Sequence, residues 1–272
     1  MDDARTFGDL TRGLAIGGTL LLVTDYDGSL TPFAADPEHA RLPADVRRDL
    51  RTLSKSSAVR VAVISGRALD DVRRRVGVGG VIYAGCHGLE VSGGGLRFVH
   101  PAAHAGRAAL SAVAESLASC PMAIPGTLVE AKGLAVAVHY RHVAVDEIPL
   151  VEWEVSQAVA DAMRHQPGSR LQVIRGNRVL EILPEVGWYK GECALWIRRQ
   201  ILSAGRSPVM LLYLGDEGTD ERAFRALADQ AVTVRVGPAG VSTAATYRLT
   251  DGHMVLRLLS ALAEEYGPEG RG

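Results

Sequence analysis

Thr19-Leu20-Leu21-Leu22-Val23-Thr24-Asp25-Tyr26-Asp27-Gly28-Ser29 (TLLLVTDYDGS) is the stretch that decides the fold. Its uncharged first half reads as a strand buried on both faces. Such strands belong to parallel sheets that carry helices on both sides. The run ends in two aspartates two positions apart and then a glycine. Ligands of open α/β sheets bind beyond the carboxyl ends of the strands, so both carboxylates stand where chemistry happens. A carboxylate there can bind a hard cation, act as a nucleophile, or move a proton. The same residues also suit a plain turn that Asp and Gly cap and bend.

Outward from this strand, apolar runs alternate with helical patterns. Val46–Leu53 lies in an Arg-rich amphipathic helix that starts near Pro43, taken as a first-turn residue. Val59–Ile64 reads as a strand, Ala68–Val76 as a helix and Val81–Ala84 as a strand. The C-terminal third repeats the rhythm: helix Gly191–Leu202, strand Val209–Leu214, helix Thr219–Leu227, strand Ala231–Val236 and helix Met254–Glu265. The middle differs. Ala102–Leu117 reads as one Ala-rich helix, and Leu128–Glu130 with Leu134–Tyr140 as a hairpin turning at Lys132-Gly133. Val151–Met163 reads as a helix, and Leu171–Ile174 with Val179–Leu183 as a second hairpin across Gly176-Asn177. The expected architecture is a doubly wound, mostly parallel α/β core with an inserted α+β domain. Residues 1–101 and 185–272 form the core on this reading, and 102–184 the insert. The ends, Met1–Asp9 and Gly267–Gly272, read as frayed.

Composition removes several classes. Thirty Lys+Arg against 31 Asp+Glu gives a net charge of −1, so no electrostatic footprint for nucleic acid or an anionic membrane is expected. At 47% hydrophobic and 22% charged residues the chain is not disordered in character. Aromatics at 5% are too few for a base-stacking platform. Cys86, Cys120 and Cys193 lack CxxC spacing, so neither a disulfide framework nor a zinc site is expected. The best apolar run, Leu14 to Val23, is too short to span a bilayer, and no signal peptide is read at the N-terminus. A cytoplasmic monomer acting on a small molecule is the expectation. Lys55, Lys132 and Lys190 are the lysines of an Arg-dominated chain, which makes each worth inspecting.

Three further segments carry candidate chemistry. Ile64-Ser65-Gly66-Arg67 puts a hydroxyl and Gly-exposed amides at a strand end, suited to phosphate oxygens or to a plain Ser N-cap. Lys190-Gly191 opens a helix, where a cation opposes the macrodipole unless carboxylates or a bound anion hold it. Otherwise Lys190 is a solvated surface lysine. Gly215-Asp216-Glu217-Gly218-Thr219-Asp220-Glu221 crowds four carboxylates into six residues. Magnesium would relieve that repulsion with oxygen ligands, as would plain solvation.

Together these segments run acidic pair, hydroxyl, lysine, acidic cluster, all on one expected sheet edge. That order resembles the haloacid-dehalogenase-like phosphohydrolases. DYDGSLTP, ISGR, AGCHGLE, VEAKGLAVAVHYR, RVLEILP, WYKGECA and YLGDEGTDERAF together resemble the trehalose-6-phosphate phosphatase family, from about Leu20 to Val236.

The resemblance implies roles residue by residue. Asp25 matches the nucleophile that becomes an aspartyl-phosphate. Asp27 matches the general acid/base, with its backbone carbonyl also on the metal. Ser65 matches the phosphate-binding hydroxyl, with Gly66 and Arg67 beside it as substrate contacts. Lys190 matches the charge-balancing lysine, and Asp216 a Mg²⁺ ligand. Asp220 matches a residue acting on the metal through water or through its other ligands. The insert would be a cap that reads the sugar. There Glu130, Lys132 and Arg141 match an E-x-K…H-x-R pattern, and Glu181 with Asn177 or Arg178 the second hairpin. His87 either lines the site or serves as a turn histidine near Glu90. Two residues depart from the family pattern: Ser29 stands where Thr is usual, and Glu217 replaces a second aspartate. The implied activity is Mg²⁺-dependent hydrolysis of trehalose 6-phosphate. Alternatives are another sugar phosphate (glucosylglycerol phosphate, mannosylglycerate phosphate or a trehalose-like pseudodisaccharide phosphate), a phosphosugar mutase, or a non-catalytic sugar-phosphate sensor.

Overall fold

A computed structural model describes residues 8, 10, 18–32, 39–119, 124–205, 208–216 and 218–267. Cys120 and Glu217 lie outside the described residues, as do the expected frayed ends apart from residues 8 and 267. In chain order the elements are β1 (Thr19–Thr24), α1 (Ala44–Ser54), β2 (Val59–Ile64), α2 (Leu69–Val76), β3 (Ile82–Gly85), β4 (Glu90–Gly93) and β5 (Leu96–Val99). Next come α3 (Pro101–Ala105), α4 (Arg107–Ala118), β6 (Leu128–Ala131), β7 (Val136–His139), α5 (Ile148–His165), β8 (Leu171–Gly176) and β9 (Val179–Pro184). Last are α6 (Lys190–Ser203), β10 (Val209–Gly215), α7 (Gly218–Ala226), β11 (Val232–Val236), β12 (Tyr247–Leu249) and α8 (Gly252–Tyr266). The described residues fall into two compact units, one within Met1–Phe98 and Tyr189–Gly272, the other Val99–Trp188. No helix among the described residues is long and apolar enough to cross a membrane.

The first unit is built on an eight-stranded sheet in the order β12-β11-β10-β1-β2-β3-β4-β5. All neighbours from β12 to β3 run parallel, and β4 turns back antiparallel on β3. Every residue of β1 is buried, as a strand covered on both faces requires. Its even-numbered leucines, Leu20 and Leu22, join Val61, Val63, Leu212 and Leu214 in one core with Leu50, Leu53, Leu258 and Leu259 of α1 and α8. α1 exists because Val46, Leu50 and Leu53 recur at helical spacing and point one way. Pro43 is its N-cap rather than a first-turn residue, since its ψ of 148° is extended and helical angles begin at Ala44. On the other face α6 and α7 pack against β10.

The order of strands fixes the site. From β1 the chain steps to β2 and β3 on one side, and returns through β10 to the other. The carboxyl ends of β1 and β10 therefore flank a topological switch point, where such sheets bind ligands. The β4–β5 hairpin and β12 were not read from the sequence. β4 and β5 are only partly buried, so they carry no continuous apolar run. Gly93, Gly94 and Gly95 all have positive φ, and that glycine run was the available signal for the hairpin.

The second unit has a four-stranded antiparallel sheet in the order β6-β7-β9-β8. Val151, Val155, Ala158, Val159 and Ala162 form the apolar stripe of α5, and with Ala109, Leu110 and Val113 of α4 they cover Val136, Val138, Leu180 and Ile182. Ala137 and Glu181 are paired across β7 and β9 on the opposite face, by the two-residue alternation of strands. The single helix expected over Ala102–Leu117 is two helices. At Gly106 the amide bonds back to Ala103 (3.1 Å), a tighter three-residue turn that breaks the ladder. The second hairpin turns on Asn177-Arg178, not Gly176-Asn177, because Gly176 is still paired with Val179. Arg178 supplies the positive φ of +59° that this tight turn needs.

Candidate active site

Asp25 leaves β1 with its amide bonded to the Leu214 carbonyl (3.0 Å), which locks this strand end against β10. Its Oδ1 accepts from the Tyr26 amide (2.7 Å) and its Oδ2 from the Lys190 ammonium (2.8 Å). Asp25 is 4% exposed and Lys190 2%. Burial pushes the Asp25 carboxyl well above its ordinary range; Lys190 pulls it down, and the charges of Asp220 and Asp216 push it up again. Lys190 is the first residue of α6, whose N-terminus is closed by a capping box between Tyr189 and Glu192. Its ammonium is held there by two carboxylates, Asp25 and Asp220, the latter at 3.0 Å.

Asp220 is fully buried in the first turn of α7. Oδ1 of Asp220 also accepts from the Tyr213 hydroxyl (2.8 Å), and Oδ2 from the Asp216 amide (3.3 Å). Burial, then the charges of Asp220 and Asp25, drive the Tyr213 hydroxyl well above its ordinary range, so it stays a donor. Tyr213 was read from sequence only as part of an apolar strand. The one signal available was a phenol within an otherwise aliphatic run.

Asp216 follows the last residue of β10 and meets the turn after β1. Oδ1 accepts from the Ser29 hydroxyl (3.2 Å), so the serine that stands where Thr is usual puts its hydroxyl on Asp216. Gly28 has φ +75°, and a Cβ there would stand 1.9 Å from Oδ2 of Asp216. Glycine is thus required both by the backbone angle and by the approach of the carboxylate. Asp25, Asp216 and Asp220 offer carboxylate oxygens that all lie within 4.8 Å of one another. Three carboxylates against one ammonium leave uncompensated negative charge in a largely buried place. All-oxygen donors and that surplus fit a hard divalent cation such as Mg²⁺. Asp27 contributes no carboxylate to this cluster.

Asp27 instead faces Arg67. Both of its oxygens accept from that guanidinium, at 2.7 and 2.8 Å. Arg67 also donates to Asp71 (3.0 Å), which accepts in turn from Arg75 (2.8 Å) and Arg74. Asp71 was not singled out in the sequence, although its i,i+4 spacing to Arg75 was visible. Ser65 is not a helix cap: α2 starts at Leu69 with Ala68 as N-cap. The Ser65 hydroxyl accepts from the Arg67 amide (3.1 Å), folding the Ser65-Gly66-Arg67 loop over the end of β2. The loop is pinned from β3's exit, where the amides of Cys86 and His87 bond to the carbonyls of Arg67 (2.8 Å) and Ser65 (2.9 Å). His87 is buried and, with Cys86, sits at positive φ (+58° and +48°), a conformation unfavourable for both.

In the second unit, Lys132 at the first hairpin turn donates to Glu181 (3.0 Å) and lies 3.9 Å from Glu130. His139, the histidine of the H-x-R pattern, lies 3.2 Å from the same Glu130 oxygen. Arg141 donates to the Asn177 carbonyl (3.1 Å), bracing the second turn where Arg178 stands. The E-x-K residues and Glu181 are therefore brought together, while Arg141 is engaged at the neighbouring turn.

The family profile described as trehalose-phosphatase matches residues 23–253. The chain belongs to the trehalose-phosphatase family. Within that family it is 35% identical over 246 residues to the trehalose-phosphate phosphatase of Mycobacterium tuberculosis (strain ATCC 25618 / H37Rv), covering 89% of this chain and 60% of that protein. It is 39% identical over 204 residues to the trehalose-phosphate phosphatase of Mycobacterium avium (strain 104), covering 75% of this chain and 50% of that one. This trehalose-phosphatase family chain thus spans only about half to three fifths of those relatives' lengths. Among solved structures, the C-terminal domain of C. albicans trehalose-6-phosphate phosphatase shares the fold with a TM-score of 0.74, at 24% identity over 97% of both chains.

Proposed function

We propose that this chain is a Mg²⁺-dependent phosphatase that hydrolyses trehalose 6-phosphate to trehalose and phosphate. The observation that carries the reading is the buried Lys190 ammonium joining Asp25 to Asp220 beside Asp216. A phosphate dianion repels a carboxylate nucleophile, so a site for this reaction needs concentrated positive charge next to that nucleophile.

An Asp25 oxygen attacks phosphorus, and the bond from phosphorus to the sugar oxygen breaks. Asp27 gives its proton to that departing oxygen, leaving a phosphoryl group on Asp25. A water then gives a proton to Asp27 while its oxygen attacks phosphorus, and the Asp25 carboxylate departs. The Tyr26 amide and Lys190 orient Asp25 throughout. Both Asp27 oxygens accept from Arg67, so to donate a proton Asp27 releases one of these two hydrogen bonds while the other keeps it oriented. Amides of the Ser65–Arg67 loop and the Ser65 hydroxyl suit the phosphate oxygens. Mg²⁺, held by Asp216 and Asp25 with the Asp27 carbonyl and with Asp220 behind them, would supply charge stabilisation of the transferring phosphoryl group. Glu130, Lys132 and Glu181 are suited to sugar hydroxyls as acceptors and donor.

The test is phosphate release from a panel of phosphorylated disaccharides and glucose phosphates, with Mg²⁺ and with EDTA, for wild type and Asp25→Asn. Release from trehalose 6-phosphate that vanishes with EDTA and with Asp25→Asn, in a chain that still folds, supports the reading. Rearranged sugar phosphate without release, or binding without release, refutes it in favour of a mutase or a sensor. Preference for another sugar phosphate reassigns the substrate alone.

A further inference from the structure

We propose that the Tyr213 hydroxyl is a positioning group for the Asp25–Lys190 pair and the Mg²⁺ carboxylates, acting through Asp220. This rests on reading those residues as a phosphatase centre. Tyr213 pairs with Val23 in the middle of the sheet, and its β10 neighbours Leu211, Leu212 and Leu214 are fully buried. Phe224 meets its ring edge-on at 5.9 Å. Apolar burial alone would be served as well by phenylalanine. A hydroxyl in such surroundings is costly unless it is paired, and its partner is Oδ1 of Asp220 at 2.8 Å.

The same oxygen accepts from Lys190 at 3.0 Å, and that ammonium reaches Asp25 at 2.8 Å. Oδ2 of Asp220 takes the Asp216 amide. A Cβ at Gly215 would stand 2.3 Å from Cγ of Asp220, so this carboxylate lies hard against the strand end. One side chain thus ties the phenol, the lysine and the backbone that carries Asp216. Without the hydroxyl, Oδ1 of Asp220 keeps the Lys190 ammonium and loses the phenol's hydrogen bond. The ammonium is then drawn toward Asp220 and away from Asp25, and Asp220 gains freedom to turn. Both changes reach Mg²⁺ binding and phosphoryl transfer; the residues proposed for the sugar belong to the other unit.

The experiment titrates the full chain with MgCl₂ by calorimetry, without substrate, for wild type, Y213F, D220N and the double variant, alongside steady-state kinetics on trehalose 6-phosphate. Y213F is expected to bind Mg²⁺ about tenfold more weakly and to lose about tenfold in kcat, with KM within about twofold of wild type. In the D220N background Y213F adds nothing further, because the two act as one unit. Wild-type Mg²⁺ affinity and kcat in Y213F, or an equal added loss in both backgrounds, overturns the proposal. Should Y213F not fold, replacing Tyr213 with 4-aminophenylalanine keeps a neutral donor to Asp220 and is expected to hold Mg²⁺ affinity within about twofold of wild type, so a tenfold loss there overturns the proposal. A wild-type chain that binds no Mg²⁺ or releases no phosphate refutes the phosphatase reading itself, which keeps the two failures apart.

Discussion

The guanidinium of Arg67 grips both carboxylate oxygens of Asp27 through Nε and one terminal nitrogen, at 2.7 and 2.8 Å, although 40 residues separate them. Only a tenth of the Arg67 side chain is exposed, against 37% for Asp27. The pair ties the turn after β1 to the loop after β2, so the expected acid/base is oriented by the loop expected to hold phosphate. A planar fork does this and a point charge does not.

Arg67→Lys is therefore expected to lower kcat on trehalose 6-phosphate by about tenfold or more, the scale of one lost charged hydrogen bond. Steady-state kinetics with a thermal melt as control decides it. Wild-type kcat in this variant would show that the fork is dispensable.

Asp71 gives a prediction about acid stability. Burial pushes its carboxyl up, but hydrogen bonds from Arg75 and Arg67 and their charges outweigh this, leaving it below its ordinary 3.8. A lowered folded value means the stabilisation is fully present above the unfolded value and is lost as pH falls through the folded one. Asp71→Asn should then be less stable than wild type by about 1–2 kcal/mol near neutrality. As pH falls below 3.8 and through the lowered folded value the gap should narrow, because protonation costs the wild type the same pairs. Denaturant unfolding between pH 7 and pH 3 measures it. A gap that stays constant in acid would contradict the assignment.

Gly28→Ala should damage the cation site more than the fold. The new methyl meets Oδ2 of Asp216 at a distance no real contact allows, and φ +75° adds about 1–2 kcal/mol of backbone strain. The expected result is a modest fall in melting temperature with a large loss of Mg²⁺ affinity by calorimetry. Unchanged affinity would place the cation away from Asp216.

Lys132→Ala removes the donor that links Glu181 and approaches Glu130. On the proposed reading it raises KM for the disaccharide phosphate by about tenfold or more, and leaves hydrolysis of a small aryl phosphate within about twofold. Equal losses on both substrates would remove the second unit from sugar recognition.

Much of the core was legible in the sequence because burial writes a local pattern. β1 reads residue for residue since both its faces are covered, and α1 reads from the spacing of Val46, Leu50 and Leu53. Strands β4, β5 and β12, at or next to the sheet's edges, leave no such mark, because half-buried residues admit polar side chains. The Gly106 break and the one-residue shift of the second turn escaped for a related reason: both depend on which amide reaches which carbonyl, and propensity is indifferent to one residue either way.

The alternating α/β core, the strand ends beyond which Asp25, Ser65 and Asp216 stand, and the family are all legible in the linear chain. Local periodicity and turn chemistry are short-range, so they survive in the linear order of residues. The folded chain is needed to see that Lys190 bonds to Asp25 across 165 positions, that Asp27 is held by Arg67, and that Tyr213 reaches Asp220. Which charges and donors pair depends on distance and on exclusion of water, and the packing of the sheet and its helices sets both.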